Sequence, residues 1–181
     1  MRNIFKLTFI LTVTFISQVM GSESTPLPAH PGMSLSQLGV GSVISIGGSY
    51  PLVIAANVRS MTFSHRTETN WRAGNAHDVH FTDCTLYARD TATVARVIPV
   101  GTEMRIVLSN YDNKAGLSQL IVSSGKKLLA FICEDTSHSR WKSSAYLPDD
   151  RGSTPITIGE FVELFKSKRI ALNVSVSADQ Q

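Results

Sequence analysis

Thr157-Ile158-Gly159-Glu160-Phe161-Val162-Glu163-Leu164-Phe165-Lys166-Ser167-Lys168-Arg169-Ile170-Ala171-Leu172-Asn173-Val174-Ser175-Val176 carries two structural periods back to back, and their junction decides the fold class. Thr157 and Glu160 have the spacing of a capping box, in which the hydroxyl accepts from an orphan amide and the carboxylate reaches back. Ile158, Phe161, Val162 and Phe165 then recur at helical spacing on one face, and Lys166, Lys168 and Arg169 suit the negative end of the helix dipole. From Ile170 the period changes to two: Ile170, Leu172, Val174 and Val176 alternate with small or polar residues, the pattern of a half-buried strand.

Upstream of this unit the chain reads as strands and turns. Val40 to Ile46 and Leu52 to Ile54 look like two short strands around a glycine-rich turn, and Val58 to Phe63 is a further strand. Val79 to Arg89, Val94 to Ile98 and Met104 to Leu108 follow, with turn signals at Pro99-Val100-Gly101 and at Asn110 to Gly116. Leu117 to Val122 and Leu128 to Cys133 flank Ser124-Gly125-Lys126 as a hairpin. Two polar stretches, Ser64 to Asp78 and Glu134 to Pro155, lack an apolar period and read as long loops. Met33 to Gly39 has room for a helical turn. The expected fold is mostly β (α+β), an antiparallel sheet or small barrel or sandwich, with one C-terminal helix followed by a final strand.

Residues 1–21 have the layout of a secretory signal peptide: Arg2 and Lys6, an apolar run from Leu7 to Ile16, and Val19-Met20-Gly21 before the expected cleavage. Residues 22–32, with Pro26, Pro28 and Pro31, read as a linker, and residues 33–181 as a single β-rich domain. The apolar run is shorter than the ~20 residues a spanning helix needs, so no membrane span is expected once the leader is removed. The expected location is secreted or periplasmic.

Loss of Arg2 and Lys6 with the leader takes the formal charge from +3 to +1, and no Lys/Arg run remains that suits phosphate neutralisation. Nucleic acid is therefore not an expected partner. Two cysteines, Cys84 and Cys133, in an exported chain most simply form one disulfide. A thiol nucleophile would need that bond absent, and His80, four residues from Cys84, would lie ~13 Å away on an extended strand.

His77, Asp78 and His80 are the candidate metal ligands, although residues three apart on a strand face opposite sides. No Gly-x-Ser-x-Gly elbow and no phosphate-cradling glycine loop occurs, and the doublets Glu134-Asp135 and Asp149-Asp150 have the character of solvated surface. Trp71 beside Arg72, and Trp141 between Arg140 and Lys142 with Tyr146 close behind, place aromatic faces next to cations. Such sets stack on sugar rings or meet anionic groups. Asn57-Val58-Arg59-Ser60 and Val97-Ile98-Pro99-Val100-Gly101-Thr102 resemble fragments of bacterial SH3-like cell-wall modules, at a spacing longer than that family uses. The resemblance implies an envelope-binding β-barrel.

The function expected from these features is that of an exported, non-catalytic binding or structural protein without a cofactor, contacting envelope glycan or another protein. The alternative is a small metal-dependent envelope hydrolase built on the His77/His80 region.

Overall fold

The computed structural model describes residues 27–70, 76–88, 93–142 and 145–177. The expected signal peptide and residues 22–26 of the expected linker lie outside the described residues. In chain order the elements are β1 (Leu27–Pro28), a 3-10 turn (Leu35–Gln37), β2 (Val43–Gly47), β3 (Leu52–Ile54), β4 (Ser60–Asn70) and β5 (Ala76–Ala88). They continue through β6 (Arg96–Ile98), β7 (Glu103–Asp112), β8 (Leu117–Ser124), β9 (Lys127–Glu134), β10 (Thr136–Lys142), β11 (Ala145–Thr154), α1 (Ile158–Lys166) and β12 (Ala171–Val176).

The main sheet is antiparallel and runs β1-β12-β2-β7-β8-β9-β5-β10-β11, with β4 joined to the free edge of β5. It curls into a half-barrel, mostly β, with one helix lying before the last strand, as the two periods around Arg169 require. Alternation sorts its faces. Leu120 and Val122 of β8, Leu129 and Phe131 of β9, and Leu86 of β5 are buried on the concave side, while their sequence neighbours are less buried or exposed.

The helix fills the concavity. Ile158, Phe161, Leu164 and Phe165 are buried, and Phe165 lies with its ring centroid 4.3 Å from that of Phe63 and 5.9 Å from that of Phe131. Phe161 meets Phe131 edge to face at 5.3 Å, the arrangement that aligns ring edges with ring faces. The capping box forms: Thr157 Oγ1 accepts from Glu160 N at 3.2 Å, and Glu160 Oε2 accepts from Thr157 N at 2.8 Å. Two more first-turn amides are used by the incoming chain, Ile158 N donating to Met33 O and Gly159 N to Pro31 O, each at 2.8 Å. A Cβ on Gly159 would stand 3.1 Å from that Pro31 oxygen, so this close approach explains a glycine inside a helix. Residues 27–32 thus run along the domain, with Leu27 and Pro28 registered against Val176 and Ser175.

Several expectations need correction. Ser64 to Asp78 was expected as a loop, yet most of it lies in β4 and β5. Glu134 to Pro155 holds β10 and β11 in place of a second loop. These strands are polar on both sides, so the alternation that marks a half-buried strand is missing from them, and backbone pairing with neighbours supplies the order. The strands β2 and β3 both form but do not pair with each other: β2 lies between β12 and β7, and β3 makes a separate two-stranded ribbon with β6.

Candidate functional site

Strand β5 is the organising element. One edge pairs with β4 continuously from Ser60↔Tyr87 to Asn70↔His77. The other edge is shared, β9 taking Cys84 to Ala88 and β10 taking Ala76 to Phe81. Between Cys84↔Cys133 and Phe81↔Ser137 the chain advances three residues on β5 and four on the opposing side, so one extra residue is accommodated near Asp135, the behaviour of a bulge. Beyond it β10 leaves β8 behind and pairs with β11, so that β4, β5, β10 and β11 form a four-stranded arm extending from the half-barrel.

The bulge is held by side chains. Asp135 N donates to Gly116 O at 2.9 Å, and Tyr111 Oη donates to Asp135 Oδ2 at 2.7 Å. Gly116 has φ +62°, and a Cβ there would meet Asp135 Oδ2 at 3.2 Å, so both the turn and the carboxylate favour glycine. The hydrogen bond to Asp135 raises the Tyr111 pKa above its usual value of 10.0, with burial and the negative charges of Asp135 and Asp112 acting in the same direction. On the neighbouring row the hydroxyls of Thr82 and Thr136, both buried, lie 3.2 Å apart.

The disulfide expected between Cys84 and Cys133 is present, with sulfurs 2.07 Å apart. It joins directly registered residues of β5 and β9, and both cysteines are buried in the core. Phe63 stands opposite Cys84 and Ser118 opposite Cys133, so the bond lies in a row that crosses four strands. The thiols are consumed by this bond, so no thiolate chemistry arises from them.

The arm gathers candidate residues that are far apart in sequence. Register places Asn70, His77, Trp141 and Tyr146 in one row across β4, β5, β10 and β11. The next row holds Thr69, Asp78, Arg140 and Leu147, and Lys142 is registered with Ala76 and Ala145. Alternation assigns the rows to two faces: His77, Trp141 and Tyr146 share the parity of the exposed Phe81, whereas Asp78, His80, Arg140 and Lys142 share that of the buried Thr82. His77 and His80 therefore occupy register positions of opposite parity. Trp71 and Arg72 lie outside the described residues.

The outer face continues from this arm onto the half-barrel. The Arg66 guanidinium lies 5.4 Å from the centroid of the Phe81 ring, a cation over an exposed aromatic face. Further along, Thr62, Asp83, Thr85, Tyr87, Leu117, Ile132 and Glu134 line a shallow groove of about 400 Å³, and the Thr62 and Thr85 hydroxyls lie 3.0 Å apart within it. Neither Phe81 nor the groove was among the sequence candidates. Phe81 was visible only as a strand residue, because its exposure depends on which face of β5 meets the helix.

Among the described residues no cluster of three or more His, Cys, Asp or Glu side chains forms a metal site, and no helix is long and apolar enough to cross a membrane. No protein-family model, no curated protein and no solved structure matches the chain.

Proposed function

We propose that this chain is an exported, non-catalytic binding protein whose outer face takes an envelope glycan or the surface of another envelope protein. The observation that carries the reading is the described pair Arg66 and Phe81, a cation over an exposed aromatic ring, at the same strand parity as the register row His77, Trp141 and Tyr146. Flat aromatic faces with a nearby cation suit sugar rings and anionic substituents, and aromatic anchors supply most of the energy in protein interfaces. Placement on paired strands also favours this use, since a row held by backbone hydrogen bonds presents its residues with little ordering cost on binding. The disulfide is compatible with an oxidising compartment, and the leader layout of residues 1–21 supports export.

The test is a titration of the mature protein with solubilised cell-wall glycan, followed by tryptophan fluorescence, alongside retention of envelope proteins on the immobilised chain. Trp141→Ala is expected to weaken binding by about tenfold or more, the loss of ~1.4 kcal/mol or more typical of an aromatic anchor, with an unchanged far-UV circular dichroism spectrum. An unchanged fluorescence spectrum together with no retained envelope component would refute the reading.

A further inference from the structure

The outer face of β4 and β5 carries more than the Arg66–Phe81 pair. Along β5, Phe81, Asp83, Thr85 and Tyr87 alternate with the buried Thr82, Cys84 and Leu86, and Arg66, Ser64, Thr62 and Ser60 of β4 are registered beside them. Phe81 and Tyr87 are six positions apart, which at ~3.4 Å per residue sets two exposed rings roughly 20 Å from each other along one strand. The groove of about 400 Å³ occupies the Tyr87 end of that strip. Half-buried Leu117 and Ile132 give it apolar lining, and its polar groups are the Thr62 and Thr85 hydroxyls, 3.0 Å apart, and the carboxylates of Asp83 and Glu134, each one position beyond a cysteine of the Cys84–Cys133 pair. Among the described residues neither carboxylate has a hydrogen-bond or ion-pair partner, and the groove lining holds no Lys, Arg or His.

We infer that this strip is the track for a linear glycan bearing free amino groups, a de-N-acetylated hexosamine chain, with one sugar amine seated at Asp83 and Glu134. The track rests on the glycan reading of the outer face and narrows it to one class of sugar. An extended hexose chain presents C–H faces that stack on aromatic rings and hydroxyls that bond to polar edges, and Phe81, Tyr87 and the threonine pair supply both along one line. Charge then selects among such chains. Two carboxylates with no cation in the same groove repel a polyuronate or a phosphate-bearing polymer. To an acetamide they offer only acceptors, whereas an ammonium gains charge-assisted hydrogen bonds, which are roughly twice as strong as neutral ones. Asp83 is half-buried, so its attraction for an amine is screened less than that of a carboxylate in open solvent. Arg66 lies over Phe81 and outside the groove, so it marks the end of the track where a sugar amine does not sit.

The experiment is isothermal titration of the disulfide-intact mature protein with linear glucosamine oligomers of increasing length, with their N-acetylated counterparts and with oligogalacturonate. The glucosamine oligomers should bind about tenfold more tightly than the acetylated ones, oligogalacturonate should not bind, and the preference should shrink as salt rises. Affinity should climb with length until an oligomer covers the ~20 Å between the two rings, and then level off. Asp83→Asn combined with Glu134→Gln should abolish the preference for the free amine while the acetylated oligomers still bind, and Tyr87→Ala should weaken all of them severalfold. Should a variant fail to fold, nuclear magnetic resonance of the wild-type protein decides the matter, because a glucosamine oligomer should shift the Tyr87 ring signals and the Leu117 and Ile132 methyl signals. Equal affinity for aminated and acetylated oligomers, or shifts that spare those three residues, would overturn the assignment and leave the glycan reading standing. Binding of no glycan of any kind would overturn the assignment and the glycan reading together, whether or not an envelope protein is retained.

Discussion

Asp135 is a single residue on which the arm's departure depends. It occupies the extra position between β9 and β10, gives its amide to Gly116 and receives the Tyr111 hydroxyl on its carboxylate. Because that hydrogen bond holds the phenol protonated, the folded-state pKa of Tyr111 lies above its unfolded value. The stabilisation is thus complete at pH below about 10 and is lost as pH rises through the raised folded value. Urea midpoints measured from pH 8 to 11 should fall at the alkaline end for the wild type and fall less for Tyr111→Phe. Parallel curves for the two proteins would assign the alkaline loss to other groups. None of this was legible in the sequence. Tyr111 and Asp135 are 24 residues apart, and only the register of β7, β8 and β9 brings them together.

Elements were legible in proportion to how locally they are determined. The helix α1 announces itself through its cap and its apolar face, both contained within a few residues, and its first-turn bonds match that expectation. Thr157→Ala is expected to lower stability by about 1 kcal/mol, measured by urea denaturation, because the Glu160 amide loses its acceptor. Thr157→Ser, which keeps the hydroxyl, should retain most of it. The strands β8 and β9 were readable as a hairpin for a similar reason, having alternating apolar residues and the Gly125-Lys126 turn between them. β10, β11 and the distal part of β4 were not. Their serines, threonines, histidines and charged residues carry no apolar alternation, and what makes them strands is pairing with β5 or, for β11, with β10, partners that no local pattern reveals. The candidate site suffered the same blindness. Its residues could be named singly, but their grouping into register rows across β4, β5, β10 and β11 comes from non-local pairing alone.

For the whole molecule, the half-barrel and its helix form one core, and the disulfide joins two of its central strands. Its 49-residue separation corresponds to about 4 kcal/mol of unfolded-state restriction, a large part of the ~5–15 kcal/mol typical of a domain. Replacing both cysteines by alanine should therefore lower the stability measured by urea denaturation by about that amount. A loss below 1 kcal/mol would show that the core alone sets the stability. Thiol labelling of the unreduced protein checks the premise, since stoichiometric modification of Cys84 and Cys133 would mean that the bond is absent in solution.

The position of that bond also has a mechanical meaning. Cys84↔Cys133 is the β5–β9 pair nearest the arm, immediately before β5 changes partner to β10. A pull applied through a tethered ligand at the arm would tend to peel β5 from β9 one rung at a time, starting at that rung. There the rung is covalent, so tension reaching the fork is carried by a sulfur–sulfur bond before any hydrogen bond of the β5–β9 ladder is loaded. A binding protein anchored under tension would keep its core intact while the arm beyond the fork deforms, and reduction would turn the same fork into the place where tearing begins.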